Sequence, residues 1–126
     1  MGIYPALHYR DARAAIDFLQ RAFGFEPVQV HEDGDGRVAH AELRAAGGLL
    51  MLGSHEEAGR LGDHTGQSWL YVSVPEVDEL FARARGAGAE VVMEPQDQDY
   101  GSRDMSVRDP EGNLWSFGTY DPEDAR

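Results

Sequence analysis

The chain contains no cysteine and no lysine, and no apolar run in it approaches the length of a membrane span. Without cysteine there is no disulfide framework, no thiolate metal site and no cysteine nucleophile. All eleven basic residues are arginine, which excludes Schiff-base chemistry on a lysine. No glycine-rich phosphate loop leads into a lysine, and no serine sits in a nucleophile elbow. Residues 1–10 show no basic stretch followed by an apolar one, so the sequence is read as cytoplasmic, without a secretory leader or a membrane anchor. Positive charge is also scarce. Eleven basic residues face twenty-three acidic ones, for a formal net charge of −12. Such a surface repels polyanions, so neither nucleic acid nor an anionic membrane is an expected partner, and a cationic ligand is mildly favoured.

What is present describes an ordinary folded domain. Of 126 residues, 41% are hydrophobic, with five Phe, five Tyr and two Trp, enough for one domain with a core of its own. Alternation in residues 3–9 predicts a strand, with Tyr4, Ala6 and His8 on one face. Asp11 then caps a helix whose stripe is Ala12, Ala15, Ile16, Leu19, Ala22 and Phe23, ended by Gly24. Strands follow over 25–31, 37–45 and 49–53, joined by an Asp-Gly turn at 32–36 and by Gly47-Gly48. Residues 55–66 are polar and glycine-rich and read as a linker, with His55 and His64 as solvated loop histidines. The order then repeats. A strand over 68–74 precedes a helix over 75–85 with Val77, Leu80, Phe81 and Ala84 on its inner face. Strands over 89–94, 102–108 and 113–119 complete the set, with a loop at 96–101.

A shift of 64 residues superimposes Ile16 on Leu80, Arg21 on Arg85, Gly24 on Gly88 and Glu26 on Glu90. The predicted architecture is therefore α+β. Two βαβββ modules, about residues 1–54 and 67–120 with a linker at 55–66, form one domain over 1–126. Their mixed sheets form a cup with the helices on its outer face.

Three segments carry a family resemblance: Arg10-Asp11 through Ile16-Asp17-Phe18 to Phe23-Gly24-Phe25; Gly47-Gly48-Leu49-Leu50-Met51-Leu52; and Val107-Arg108-Asp109-Pro110-Glu111-Gly112-Asn113-Leu114-Trp115-Ser116-Phe117. Together, in this order on a duplicated pattern, the sequence resembles the vicinal oxygen chelate superfamily, which includes glyoxalase I, extradiol dioxygenases and bleomycin-resistance proteins. The resemblance implies a cup that in the enzymes holds a divalent metal on His, Glu or Gln at four positions. Those positions map to Tyr4, Met51, Trp69 and Ser116. None is a usual ligand for a hard or borderline divalent ion, because a thioether suits soft metals and an indole N–H has no lone pair to give. The expectation is a site without metal or other cofactor, closest to the bleomycin-resistance branch.

The candidate ligand-binding residues are Tyr4, His8, His40, Met51, Trp69, Tyr71, Tyr100, Arg103 and Ser116, with Arg103 as a possible clamp for an anionic group. The expected function is metal-free binding of an aromatic or amphipathic drug or metabolite, acting by sequestration as in antibiotic resistance, in a homodimer. Two alternatives stand beside it. One is a divalent-metal glyoxalase-type lyase or isomerase, or a dioxygenase, with His8, His40 and Glu42 as replacement ligands or as catalytic acid and base. The other is an accessory protein of antibiotic biosynthesis.

Overall fold

The computed structural model describes residues 1–124. Helix α1 (Ala12–Phe23) starts where the Asp11 carboxylate accepts the amide of Ala14 and stops at Gly24, which takes the left-handed φ of 74°. A residue with a Cβ is strained there, so glycine ends the helix at little cost. Strand β1 (Ala6–Tyr9) precedes it, and β2 (Glu26–Glu32), β3 (Val38–Ala45) and β4 (Gly48–Ser54) follow. They form a four-stranded sheet in the order β1-β4-β3-β2, with β1 parallel to β4 and the other pairs antiparallel. After the connection over 55–68, β5 (Trp69–Ser73), α2 (Val77–Gly86), β6 (Glu90–Asp97), β7 (Arg103–Arg108) and β8 (Leu114–Gly118) repeat the pattern as β5-β8-β7-β6. The two βαβββ units of the sequence reading are therefore present.

The repeat extends to residue pairs. Glu26 lies opposite Arg44 in the first sheet, and Glu90 lies opposite Arg108 in the second. The last strands are offset by one further residue, since Glu42 faces Met51 while Ser106 faces Ser116. The β7–β8 turn is longer by that residue. The two largest boundary changes are that residues 3–5 precede β1 rather than belonging to it, and that β6 continues through Asp97.

Alternation gives each sheet one face toward the helices and one open face. The helix side holds the core: Leu7, Tyr9, Ala41, Leu43, Leu50 and Leu52 from the first sheet; Met105, Val107, Trp115 and Phe117 from the second. Ala15, Ile16, Leu19 and Ala84 are buried as expected from their spacing, whereas Leu80 and Phe81 are only partly buried. Those two side chains lie at the margin of the core. An aromatic cluster joins the halves, with Phe23 centred 4.8 Å from Phe117 and 5.4 Å from Trp115.

The most distinctive sequence motif, Asp109 to Asn113, completes this junction. The Asp109 carboxylate is buried and accepts Tyr9 Oη at 2.6 Å, Trp115 Nε1 at 3.1 Å and Asn113 Nδ2 at 3.1 Å on one oxygen. Its other oxygen takes the amides of Glu111 and Asn113. Glu111 in turn accepts the amides of Arg10 and Asp11 in the other half. Burial, then the negative charge of Asp109, pushes the Tyr9 phenol far above its usual range. From α2, Arg83 donates to the carbonyls of Gln20 and Arg21 at the end of α1, where the helix dipole favours a cation. Among the described residues no helix is long and apolar enough to cross a membrane.

Candidate functional site

The open faces carry the candidate chemistry. In the first sheet, the pairing of β2 with β3 sets His31 opposite His40 and Gln29 opposite Glu42. Met51 lies beside Glu42 on the next strand, and Ala6 and His8 pair with Met51 and Gly53. The polar groups are bonded within their own strands: His40 Nε2 to Glu42 Oε2 at 2.9 Å, and His31 Nε2 to Gln29 Oε1 at 2.8 Å. His31 and Gln29 were missed in the sequence. Counting back across the Asp-Gly hairpin does not find them, because the register shifts by one residue between Glu32 and His31; a second shift lies between Gln29 and Pro27.

His8 does not join His40 and Glu42. It lies on the far side of β4, with its ring 6.5 Å from that of His55. Among the described residues no group of three or more His, Asp or Glu side chains is arranged to hold a metal ion. His55 itself is not the solvated loop residue the sequence suggested: it is 8% exposed. Its amide continues the pairing with β1 by donating to Tyr9 O, and Arg37 holds its carbonyl, so the residue is drawn in at the end of β4. Its Nδ1 has no partner among the described residues, and its Nε2 lies 3.8 Å from Glu57. His64 bonds locally to the carbonyl of Leu61.

The open face of the second sheet is aromatic and hydroxylic. Trp69 and Tyr71 alternate along β5, opposite Leu114 and Ser116 of β8, and Ser116 lies opposite Ser106 of β7. The Trp69 indole N–H donates to Ser116 Oγ at 2.9 Å, and Ser116 Oγ is bonded to Ser106 Oγ at 2.7 Å. The two mapped positions Trp69 and Ser116 thus meet. The Trp69 residue remains 70% exposed, so its ring is open to solvent. These groups do not suit a divalent metal: the indole offers no lone pair, and both serines are engaged. Met51 on the other sheet adds only a thioether, and Tyr4, half exposed before β1, is a single phenol.

Arg103 does not line this face. It shares the helix side of β7 with Met105 and Val107, and its guanidinium grips Asp78 of α2 at 2.9 and 3.0 Å and Asp97 at 3.1 Å. That grip holds the Asp78 carboxyl below its usual range. With its guanidinium committed to two carboxylates on the helix side, Arg103 is not placed to clamp an anionic ligand on the open face. Its neighbour Asp104 faces the open side instead, with Tyr100 Oη donating to it at 2.6 Å. This bond raises the Tyr100 phenol, and burial, opposed by a Ser102 hydrogen bond, raises that of Tyr71. A groove of about 550 Å³ runs along the edge of this region. Its walls include Ile3, Leu49, Leu70, Tyr71, Val72 and Asp121.

The fold has counterparts among known proteins. A protein of Mycobacterium tuberculosis is 36% identical over 121 residues, covering 90% of this chain and 71% of that protein. The crystal structure of TioX from a Micromonospora species matches with a TM-score of 0.79 and 36% identity, over 94% of this chain and 97% of that one. A bleomycin resistance determinant encoded on transposon Tn5 shares the fold at a TM-score of 0.69 with 18% identity, over 96% and 98% of the two chains. A family model matches residues 4–117, and the chain belongs to the Glyoxalase/Bleomycin resistance protein/Dioxygenase superfamily.

Proposed function

We propose that the protein binds an aromatic or amphipathic small molecule without a metal and acts by sequestering it. The observation that carries this reading is the Trp69–Ser116–Ser106 chain. It presents a solvent-open indole at Trp69 and an engaged hydroxyl at Ser116, two of the positions that the resemblance maps to the metal ligands of the enzymes, with Ser106 bonded behind them. A flat ring that stacks on Trp69 buries apolar area on both partners, and aromatic pairing adds about 0.5–1.5 kcal/mol beyond that burial. The adjoining groove supplies volume for the rest of the molecule.

Each open face of a single chain is uncovered on one side, and the resemblance implies cups closed by a second copy. A homodimer is therefore part of the proposal. In light scattering at micromolar concentration the protein is expected at twice the single-chain mass; the single-chain mass would remove this part.

Fluorescence titration with the neutral planar probe N-phenyl-1-naphthylamine tests the binding. Saturable binding is expected, weakened about 2- to 10-fold in Trp69→Ala, the range that aromatic pairing supplies. Equal affinity in the variant would reduce Trp69 to surface filling. A divalent ion retained in stoichiometric amount after dialysis would favour a metal-dependent enzyme, whose nearest donors are His40 and Glu42.

A further inference from the structure

At the end of the second sheet a carboxylate sits among phenols with no basic side chain of the described residues beside it. Asp104 lies opposite Gly118 on the open face. One of its oxygens accepts Tyr100 Oη and the other accepts Ser102 Oγ. Both donors are neutral. The adjacent Arg103 turns to the opposite side of the strand, and no basic side chain among the described residues reaches Asp104. Each carboxylate oxygen has two acceptor sites, so two hydroxyl bonds leave half of the capacity unused.

The glycine is a condition of this arrangement. A Cβ at position 118 would run into both Asp104 Oδ1 and Tyr71 Oη, so only glycine lets the carboxylate and the phenol close over the strand. Tyr71 Oη also donates to the carbonyl of Tyr120 at 2.6 Å. The rings of Tyr120 and Tyr100 meet edge to face, 6.3 Å apart at 87°. Three phenol rings, between 39% and 66% exposed, thus border one uncompensated carboxylate. Tyr100 and Ser102, the two donors to Asp104, line a recess of about 390 Å³ together with Thr119, Tyr120 and residues 121, 122 and 124, so that Asp104 lies directly behind its wall; the recess shares Asp121 and Pro122 with the larger groove.

We infer that this recess receives a protonated amine or quaternary ammonium group, and that the small molecule bound by the protein is an amphipathic cation. The inference rests on the small-molecule reading above and adds the charge of the ligand. The chemistry selects in one direction. Aromatic faces carry negative quadrupole potential and attract an organic cation at van der Waals distance, while Asp104 supplies the counter-charge. An anion would meet Asp121 and Asp124 on the wall and Asp104 just behind Tyr100 and Ser102. The apolar body of the ligand would then lie in the groove along Leu70, Val72 and Leu49.

The test compares benzyltrimethylammonium with neopentylbenzene, its neutral isostere, by NMR titration of the full chain. The parent is expected to bind the cation about tenfold more tightly, a preference that Asp104→Asn removes while leaving the neutral probe within about twofold. Retained affinity for the neutral probe shows that the variant is folded. Tyr100→Leu, which keeps the carboxylate and removes one ring, should lower cation affinity by about threefold. Equal affinity of the parent for both probes, or a preference that survives Asp104→Asn, overturns the inference. If N-phenyl-1-naphthylamine still binds in that event, the small-molecule reading stands and only the cation site falls. If none of the three probes binds, both fall.

Discussion

The two sheets have the same strand order and the same pairing, yet their open faces have little in common. Where the first carries His40, Glu42, Met51 and Ala6, the second carries Asp104, Ser106, Ser116 and Tyr71 at corresponding places. Their helix sides, by contrast, are alike: Ala41 and Leu43 correspond to Met105 and Val107, and Leu50 and Leu52 to Trp115 and Phe117. The Glu–Arg pairs at the ends of both central hairpins are also kept. Close packing restricts the buried side, because a lost or added methylene there leaves a cavity or a clash. Solvent tolerates change on the open side, so the two halves could take different surface chemistry on one scaffold. The first joins imidazoles to a carboxylate and a carboxamide; the second joins indole, phenols and hydroxyls to a carboxylate.

This contrast is testable in order of effect. Phe23→Ala should be the most damaging change, costing about 3–5 kcal/mol in urea unfolding, because one ring contacts aromatics from both halves. A cost under about 1 kcal/mol would mean that the halves are stabilised separately. Asp109→Asn comes next, at about 3 kcal/mol. An amide cannot accept on both sides, so buried donors on Tyr9, Trp115, Asn113 or the turn lose partners.

A pH scan separates the buried junction from the surface. The Tyr9 phenol is raised in the folded state, so the neutral form is favoured there; its contribution is complete below pH 10 and lost above it. Stability should fall beyond pH 10, and less steeply in Tyr9→Phe. At the acid end Asp63, held near a pKa of about 2 by hydrogen bonds from Thr65 and the charge of Arg10, has the opposite sign. Its small contribution is present above the ordinary value of 3.8 and fades as pH falls toward 2. Being exposed, it should be weak and salt-sensitive in acid titration of the parent against Asp63→Asn.

The smallest effects on stability belong to the open faces. Trp69→Ala and His40→Ala should each change unfolding by less than about 0.5 kcal/mol, since surface substitutions usually do. If either instead unfolds the chain, that face is core and not a binding surface.

Several of these features could be read from the sequence. The helix stripes, the Gly24 stop, the hairpin turn and the duplicated order follow from periodicity and turn chemistry, which are local. The alternation that put Met105 and Val107 on the helix side already placed Arg103 with them, so its commitment to Asp78 was within reach of the sequence. Its neighbour Asp104 falls on the other face by the same count. Local reasoning could not place His31 and Gln29 together with His40 and Glu42, because a bulge resets the register of β2.

The sequence by itself determined which residues form strands and helices, which face of each is apolar, and that the pattern occurs twice. These depend on spacing along the chain and on backbone preferences of single residues. The tertiary structure decided what meets across the chain: Tyr9 with Asp109, Trp69 with Ser116, Tyr71 and Asp104 over Gly118, and His8 with His55 instead of His40. Such contacts join residues up to 100 positions apart. They depend on strand register, on a bulge and on a turn longer by one residue, which side-chain periodicity within a segment does not encode.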